Sequence, residues 1–351
     1  MKIQTLKGIL EGIEELREDG YQTALELAEM HGVLAPLNMI SQSKHKKHSV
    51  HQQINEKLQL QSIHALQQCK ALIEIINEFK VHKLFIKSIK GPILSYYLYE
   101  GKSDWRPSAD LDFIYDGSQV KEAYQVIHRL GYQPLNGYPP RNQMEAVKGP
   151  SEWIFCHPKT GIEVEFNTSI MNSSYPQALN KIYCSSLGEK ISFYGLEMIM
   201  PEPEVLWLYL ASHASKHQGE RLMWYYDLKK ISLKFPNLNW ERIKSLSIEC
   251  NLLNCLNWSQ NWLEDKKPNH LIWVNEQTDN TEYHYNAILF NLNIQDNLYL
   301  KIRFIILKIF KPALKDWTYF PTQTAPHKIY FYRIIRISKA FLKYLTSKVG
   351  F

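Results

Sequence analysis

The chain has 351 residues, 45% hydrophobic and 13% aromatic, enough apolar side chain for two packed units, which excludes a disordered tail or a mini-protein. Lys and Arg number 41 against 35 Asp and Glu, so the formal charge of +6 is mild for this length and argues against a general nucleic-acid binder. The excess sits at the end: from Lys301 onward eleven cations face one acid, Asp316, so that segment carries +10 and residues 1–300 carry −4. Five cysteines without a CxxC pair (Cys69, Cys156, Cys184, Cys250, Cys255) argue against a zinc knuckle and a disulfide framework and imply a reducing cytoplasm. The start of the chain is acidic soon after Met1, unlike a signal peptide. No window holds about 18 uninterrupted apolar residues, so no spanning helix is expected.

Residues 3–32 carry apolar side chains at helical spacing, from Ile3, Leu6 and Ile9 to Ile13 and Leu16. The polar run Ser41–Gln53 predicts a solvated loop, and its His45, His48 and His51 stand among lysines whose charge opposes a metal. From Ile54 to Phe79 the helical period returns, with Leu58, Ile63, Leu66, Cys69, Ile73, Ile76 and Phe79 tracing one apolar face. Leu84–Ile89 predicts a strand ending at Lys90-Gly91-Pro92, a turn that opens a helix over Ile93–Tyr99. A second strand covers Asp110–Tyr115 and a helix Val120–Leu130, which Gly131 with Pro134, Pro139 and Pro140 breaks. Strands Glu152–Cys156 and Ile162–Asn167 flank a turn at Pro158–Gly161, and beyond Pro203 the pattern is almost wholly helical. Residues 1–80 thus read as an N-terminal helical region, 81–200 as a small α/β core, and 201–351 as a C-terminal helical region with a basic tail.

The segment from Lys90 to Asp112 carries the chemistry. On a strand, Asp110 and Asp112 face one side while Leu111 and Phe113 face the other. Glu163 and Glu165 repeat the alternation with Ile162, Val164 and Phe166, so a sheet that pairs the two strands adds a third carboxylate. Three acids can hold two Mg2+ (or Mn2+) ions, which neutralise a triphosphate and activate an attacking hydroxyl. D-x-D by itself is also the pattern of an exposed strand edge. The preceding turn favours chemistry: Gly91 offers backbone N–H groups to phosphate, Lys90 adds a cation, and Arg106, followed by Pro107 and Ser108, is a second candidate phosphate contact. The structural alternative is that Lys90 and Arg106 form salt bridges to these same acids.

The run KSIKGPILSYYLYEGKSDWRPSADLDFIYD resembles the signature of the uncharacterised nucleotidyltransferase family within the DNA polymerase β-like superfamily: lysine-glycine, a helix ending in tyrosine, then R-x-x-x-D-x-D. GIEVEFNTSI is similar to that family's third-acid strand, MPEPEVLWLYLASHASKHQGERLMWYYDLKKI to its helical segment, and PHKIYFYRIIRI to its C-terminal arginine segment, so the resemblance runs over residues 55–340. It implies an α+β fold, with a small mixed-sheet nucleotidyltransferase core, N-terminal helices and a C-terminal helical domain. It implies further that Asp110, Asp112 and Glu165 are the catalytic, metal-binding acids and that Lys90 and Gly91 lie at the triphosphate, to which the residue reading adds Arg106 and Ser108 as candidate contacts. Three departures stand out: Lys-Gly replaces the superfamily's common Gly-Ser, the third acid is Glu165 rather than aspartate with Glu163 as its rival, and Asn167 occupies a common histidine position.

His213 and His217 lie four apart on a helix without the glutamate of a zinc protease motif, followed by Arg221, Trp224 and Asp227. The resemblance makes His213, Arg221 and Asp227 pocket walls; the alternative is an internal His–Asp or Arg–Asp bridge, with Trp224 in core packing. In the tail, cations interleave with apolar residues, a pattern that fits packing onto the core or contact with an anionic membrane surface or polyanion, and nucleic acid less well. The expected activity is Mg2+-dependent transfer of a nucleoside monophosphate from an NTP such as ATP to a hydroxyl or phosphate on a small molecule, peptide or protein. It is expected in the cytoplasm, with the basic tail as a route to the membrane periphery. A D-x-D glycosyltransferase and a catalytically silent nucleotide-binding or docking protein are the rival readings.

Overall fold

Three helices, α1 (Tyr21–Met30), α2 (Leu34–Lys44) and α3 (Ser49–Val81), lead into the sheet in the computed structural model, which describes residues 20–44, 49–135, 152–264 and 280–310 with isolated positions near both ends. Residues 3–19 of the expected first helix therefore lie largely outside the described residues, as do His45 and His48. The solvated loop expected over Ser41–Gln53 is corrected: its described part is helical on both sides, and Ser41 Oγ and His51 Nδ1, 3.1 Å apart, tie α2 to α3. The 33-residue α3 is also turned from the expected face. Ala65, Cys69, Leu72, Ile75, Ile76 and Phe79 are buried, whereas Ile63 and Leu66 are exposed. A helix this rich in apolar residues offers more than one stripe, and the sheet selects which is covered.

The sheet follows: β1 (Ile86–Ser88), α4 (Pro92–Leu98), β2 (Asp110–Tyr115), α5 (Val120–Arg129), β3 (Gln133–Pro134), β4 (Glu152–Cys156) and β5 (Glu163–Asn167). The strand order is β1-β2-β5-β4-β3; β2 and β5 run parallel, and the other neighbouring pairs are antiparallel. β3 was not anticipated; it is a two-residue edge strand, a position where Pro134 is tolerated because it donates to no ladder. One face is aromatic: Phe166 stacks on Phe113 at 5.6 Å and on Phe79 of α3 at 5.7 Å, with Trp153 and Phe155 buried beside them. By period two, the same alternation sends Asp110, Asp112, Glu163 and Glu165 to the opposite face.

Next come α6 (Ala178–Ser185) and a hairpin of β6 (Lys190–Phe193) and β7 (Leu196–Ile199), also not anticipated. The helices beyond are α7 (Pro203–Lys216), α8 (Leu222–Lys234), α9 (Trp240–Glu249), α10 (Leu253–Leu263), α11 (Asn280–Asn293) and α12 (Leu298–Phe310). Val205 through Ala211 are each no more than 3% exposed, so α7 is enclosed on all sides, as an unbroken apolar run requires. A single apolar cluster runs from Cys69 to Phe304, joining the sheet to the helices behind it, and a smaller one packs α1 and α2 against Leu222.

A buried ion pair joins the two halves. Arg106, in the loop before β2, places Nε 2.7 Å from Asp227 Oδ2 on α8, with the side chains 4% and 1% exposed. Tyr99 donates its hydroxyl to Asp227 Oδ1 at 3.1 Å, and the Arg106 backbone N–H donates to Ser95 Oγ. Removing one partner strands the other's charge in the interior. Asp227→Ala is expected to lower the unfolding free energy by about 3–5 kcal/mol, read by urea denaturation, whereas the apolar pair Arg106→Met/Asp227→Leu is expected to recover most of that loss.

Candidate active site

β1 ends at Ser88, and within three residues the chain must reverse into α4. Gly91 makes that turn at φ +73° and ψ −147°, a backbone region that side chains resist, and Pro92 then sets the helical φ of the first residue of α4. The turn lies against β2: a Cβ at position 91 would meet the Asp110 carbonyl at 3.5 Å. Ser108 donates its hydroxyl to that same carbonyl at 2.8 Å, and Gln68 of α3 donates to the Ser108 carbonyl at 3.1 Å. Ser108, expected at the triphosphate, thus has its hydroxyl engaged in holding the entry to β2.

Parallel pairing sets Asp112 beside Glu165 and Asp110 beside Glu163. Each of Asp110, Asp112 and Glu165 offers a carboxylate oxygen within 4.8 Å of those of the others. Of the two rival third acids, the geometry brings Glu165 into this group. Asn167, next on the same face of β5, donates its amide to Glu165 Oε1 at 2.7 Å. Lys90 Nζ lies 3.0 Å from Asp112 Oδ1, with the lysine side chain 19% and the aspartate 4% exposed. Burial and the Asp112 charge push the Asp110 carboxyl up to about 6, against the pull of Lys90. Burial disfavours the Lys90 ammonium, but Asp112, Asp110 and Glu165 more than offset it and hold its pKa above the usual lysine value.

A second group of candidate site residues stands on and beside α7 and α8. The His213 and His217 rings lie 4.9 Å apart and pack on Trp224 at 5.3 and 5.0 Å. Burial, reinforced by Lys90, holds His213 well below the usual imidazole range; burial, with Lys216 and then Lys90, does the same for His217. Both rings are neutral near pH 7, and the Lys90 charge acts on each. Arg221 is exposed just before α8, where its charge reaches His31 and His217.

Two expected site residues sit elsewhere. Arg106, read as a phosphate contact, and Asp227, read as a pocket wall, are bonded to each other in the interior. The Arg–Asp bridge that was the alternative for Asp227 is present, and its arginine stands 121 positions away, a separation that leaves no linear signal. Tyr209, which sequence reading passed over within the apolar run of α7, belongs to the site's surroundings. Asn167, noted for replacing a histidine, could have been found by its period-two spacing from Glu165.

Of the basic segment, only α12 and a few later positions are described. Phe304 is buried and meets Tyr175 edge-on at 6.0 Å, Arg303 donates to the Tyr175 carbonyl at 3.1 Å, and Ile302, Ile305 and Ile309 are exposed. Among the described residues no helix is long and apolar enough to cross a membrane.

Comparison with known proteins bears on this arrangement. The solution structure of the antibiotic-resistance factor ANT(2'')-Ia aligns at 11% identity with a TM-score of 0.38, covering 58% of this chain and 99% of that one. No curated protein matches. The family described as uncharacterised nucleotidyltransferase matches residues 18–259, a span that takes in the glycine turn, the three acids, α7 and α8. The chain belongs to this uncharacterised nucleotidyltransferase family.

Proposed function

We propose that the chain transfers a nucleoside monophosphate from an NTP to a hydroxyl or phosphate oxygen of a small-molecule, peptide or protein acceptor, with pyrophosphate leaving. The observation that carries this reading is the convergence of Asp110, Asp112 and Glu165 beside Lys90 at the glycine turn. The donor set consists of carboxylate oxygens, which suits Mg2+ or Mn2+ rather than zinc. One lysine against three carboxylates leaves the group short of positive charge, which adds to burial in raising the Asp110 pKa. Divalent cations held by Asp110, Asp112 and Glu165 would neutralise the triphosphate and lower the pKa of the attacking hydroxyl.

The residues of the chain divide the remaining work. Lys90, exchanging Asp112 for phosphate oxygens, stabilises the charge that grows on the leaving pyrophosphate, and the Gly91 turn offers backbone N–H groups beside it. Glu165, oriented by Asn167, takes the acceptor's proton as the acceptor oxygen bonds to the α-phosphorus and the bond from that phosphorus to pyrophosphate breaks. The neutral His213, His217 and Trp224 surfaces suit an uncharged part of nucleotide or acceptor. Arg106, paired with Asp227, bears on the site through its charge, which acts on His213 and Tyr209. On the same reading, the cations from Lys301 onward face an anionic membrane surface or another polyanion.

Equilibrium titration of ATP, GTP, CTP and UTP with Mg2+ tests this directly. The wild type is expected to bind at least one of them in a metal-dependent way, and Asp110→Ala/Asp112→Ala to weaken that binding at least about 100-fold; absence of metal-dependent binding to the wild type rejects the proposal. Pyrophosphate release with labelled transfer into a lysate then identifies the acceptor.

The pH dependence has a definite sign. The folded Asp110 pKa of about 6 lies above its ordinary 3.8, so the folded cation-free protein binds this proton more tightly than the unfolded chain. This contribution to stability is full below pH 3.8 and is lost as pH rises toward 6. Asp110→Asn is therefore expected to melt above the cation-free wild type at pH 7.5 and to lose that advantage near pH 4. Mg2+ is expected to raise the wild-type melting temperature at pH 7.5 and to fade as an effect below pH 6.

A further inference from the structure

One buried polar atom beside the acids takes no part in the chemistry above. Tyr209 of α7 is wholly buried, and its hydroxyl has no hydrogen-bond partner among the described residues. Buried tyrosine hydroxyls ordinarily find one, so an orphan calls for a physical reason. The ring is fixed in place: it meets Tyr183 edge-on at 5.0 Å and lies 6.2 Å from His213. Tyr183 in turn donates its hydroxyl at 3.4 Å to the carbonyl of Ile89, the residue before Lys90. Tyr209 is therefore held against the end of β1 where the glycine turn begins.

Its electrical surroundings identify the same place. After burial, the influences on the hydroxyl are Asp112, Arg106, Glu165 and Asp110, in that order, so all three carboxylates of the converging group act on it. Burial and these negative charges hold the phenol proton on its oxygen, well above the usual tyrosine range. The group is thus a permanent donor. In this cation-free structure the hydroxyl donates to none of the three carboxylates, of which Asp112 receives Lys90 and Glu165 receives Asn167. What the hydroxyl lacks is an oxygen acceptor, in surroundings where three carboxylates and one arginine act on it. A polyphosphate arriving with its divalent cations meets that description: its oxygens are anionic acceptors, and the cations offset the carboxylates.

We propose that Tyr209 is a ligand-contacting residue of this site, its hydroxyl donating a hydrogen bond to an anionic oxygen of the NTP triphosphate. The inference rests on the nucleotidyl-transfer reading and adds a contact to it from the helical half of the molecule. The orphan state of the hydroxyl before loading also makes the contact selective, since its removal takes nothing from the folded protein and something from the complex.

Calorimetric titration of Mg2+ alone, of Mg2+-tripolyphosphate and of the tightest-binding Mg2+-NTP into wild type and Tyr209→Phe tests it, together with the melting temperatures of the two ligand-free proteins. The expected result is an equal or higher melting temperature for Tyr209→Phe, an unchanged affinity for Mg2+, and a parallel fall of about 10- to 100-fold in affinity for tripolyphosphate and NTP. Equal NTP affinity in the two proteins overturns the inference. A loss confined to the NTP, with tripolyphosphate unchanged, overturns it too, because the contact would then be to the nucleoside. A lower melting temperature with weakened Mg2+ binding assigns the hydroxyl a structural role and equally overturns it. A wild type that binds Mg2+-NTP alongside an unaffected Tyr209→Phe refutes this contact alone, whereas a wild type that binds none refutes nucleotidyl transfer and the contact with it.

Discussion

Parallel pairing of β2 with β5 is the constraint from which the site follows. It aligns Asp112 with Glu165, and strand alternation leaves Asp110 on the same side, so the backbone itself fixes three carboxylates near one another. Such groups repel, and more strongly in the low dielectric of a partly closed site. The sheet resists that repulsion from its other face. Phe113 and Phe166 are partners in the same register and stack at 5.6 Å, with Phe79 beyond. A slip of one residue would exchange phenyl rings for acids on both faces, so apolar packing holds in place a charge arrangement that is unfavourable locally.

Lys90 has two positions in this economy of charge. Bound to Asp112 it keeps the cation-free site tolerable, and its partner is the very group expected to take a metal. Under the proposed nucleotidyl transfer, a cation taken up by Asp112 would release the lysine that relieves the acids before loading, leaving it available to phosphate. Asn167 serves Glu165 differently. A glutamate has one more rotatable bond than an aspartate, and the amide bond to Oε1 removes part of that freedom, which helps a longer acid hold a set position.

The strands that carry the acids were legible because their alternation is strict: Asp-Leu-Asp-Phe and Glu-Val-Glu-Phe allow only one inward face each. The helix after Gly91-Pro92 was legible for the same local reason, since glycine and proline act on their own backbone. Less was legible where neighbours decide. On α3 both Leu66 and Ala65 are apolar enough to be covered, and the sheet takes the smaller one. The hairpin of β6 and β7 is too short to show a period, and a two-residue β3 shows none. Arg106 read as a phosphate contact because its sequence neighbours are site residues, whereas its actual partner arrives from α8. Tyr209 was concealed by its company, one hydroxyl in an apolar run, and only burial without a partner distinguishes it from core.

The Arg106–Asp227 bond also orders events in time. A growing chain that has been synthesised only to residue 200 already holds the glycine turn, all of the acids and the Ser95 and Gln68 bonds to the loop leading into β2, but its Arg106 lacks the Asp227 counter-charge. The partner lies 121 residues downstream, on α8. Long-range closures of this kind come late in folding. Arg106 thus gains its counter-charge only after both acid-bearing strands have been made, once α8 has followed them from the ribosome.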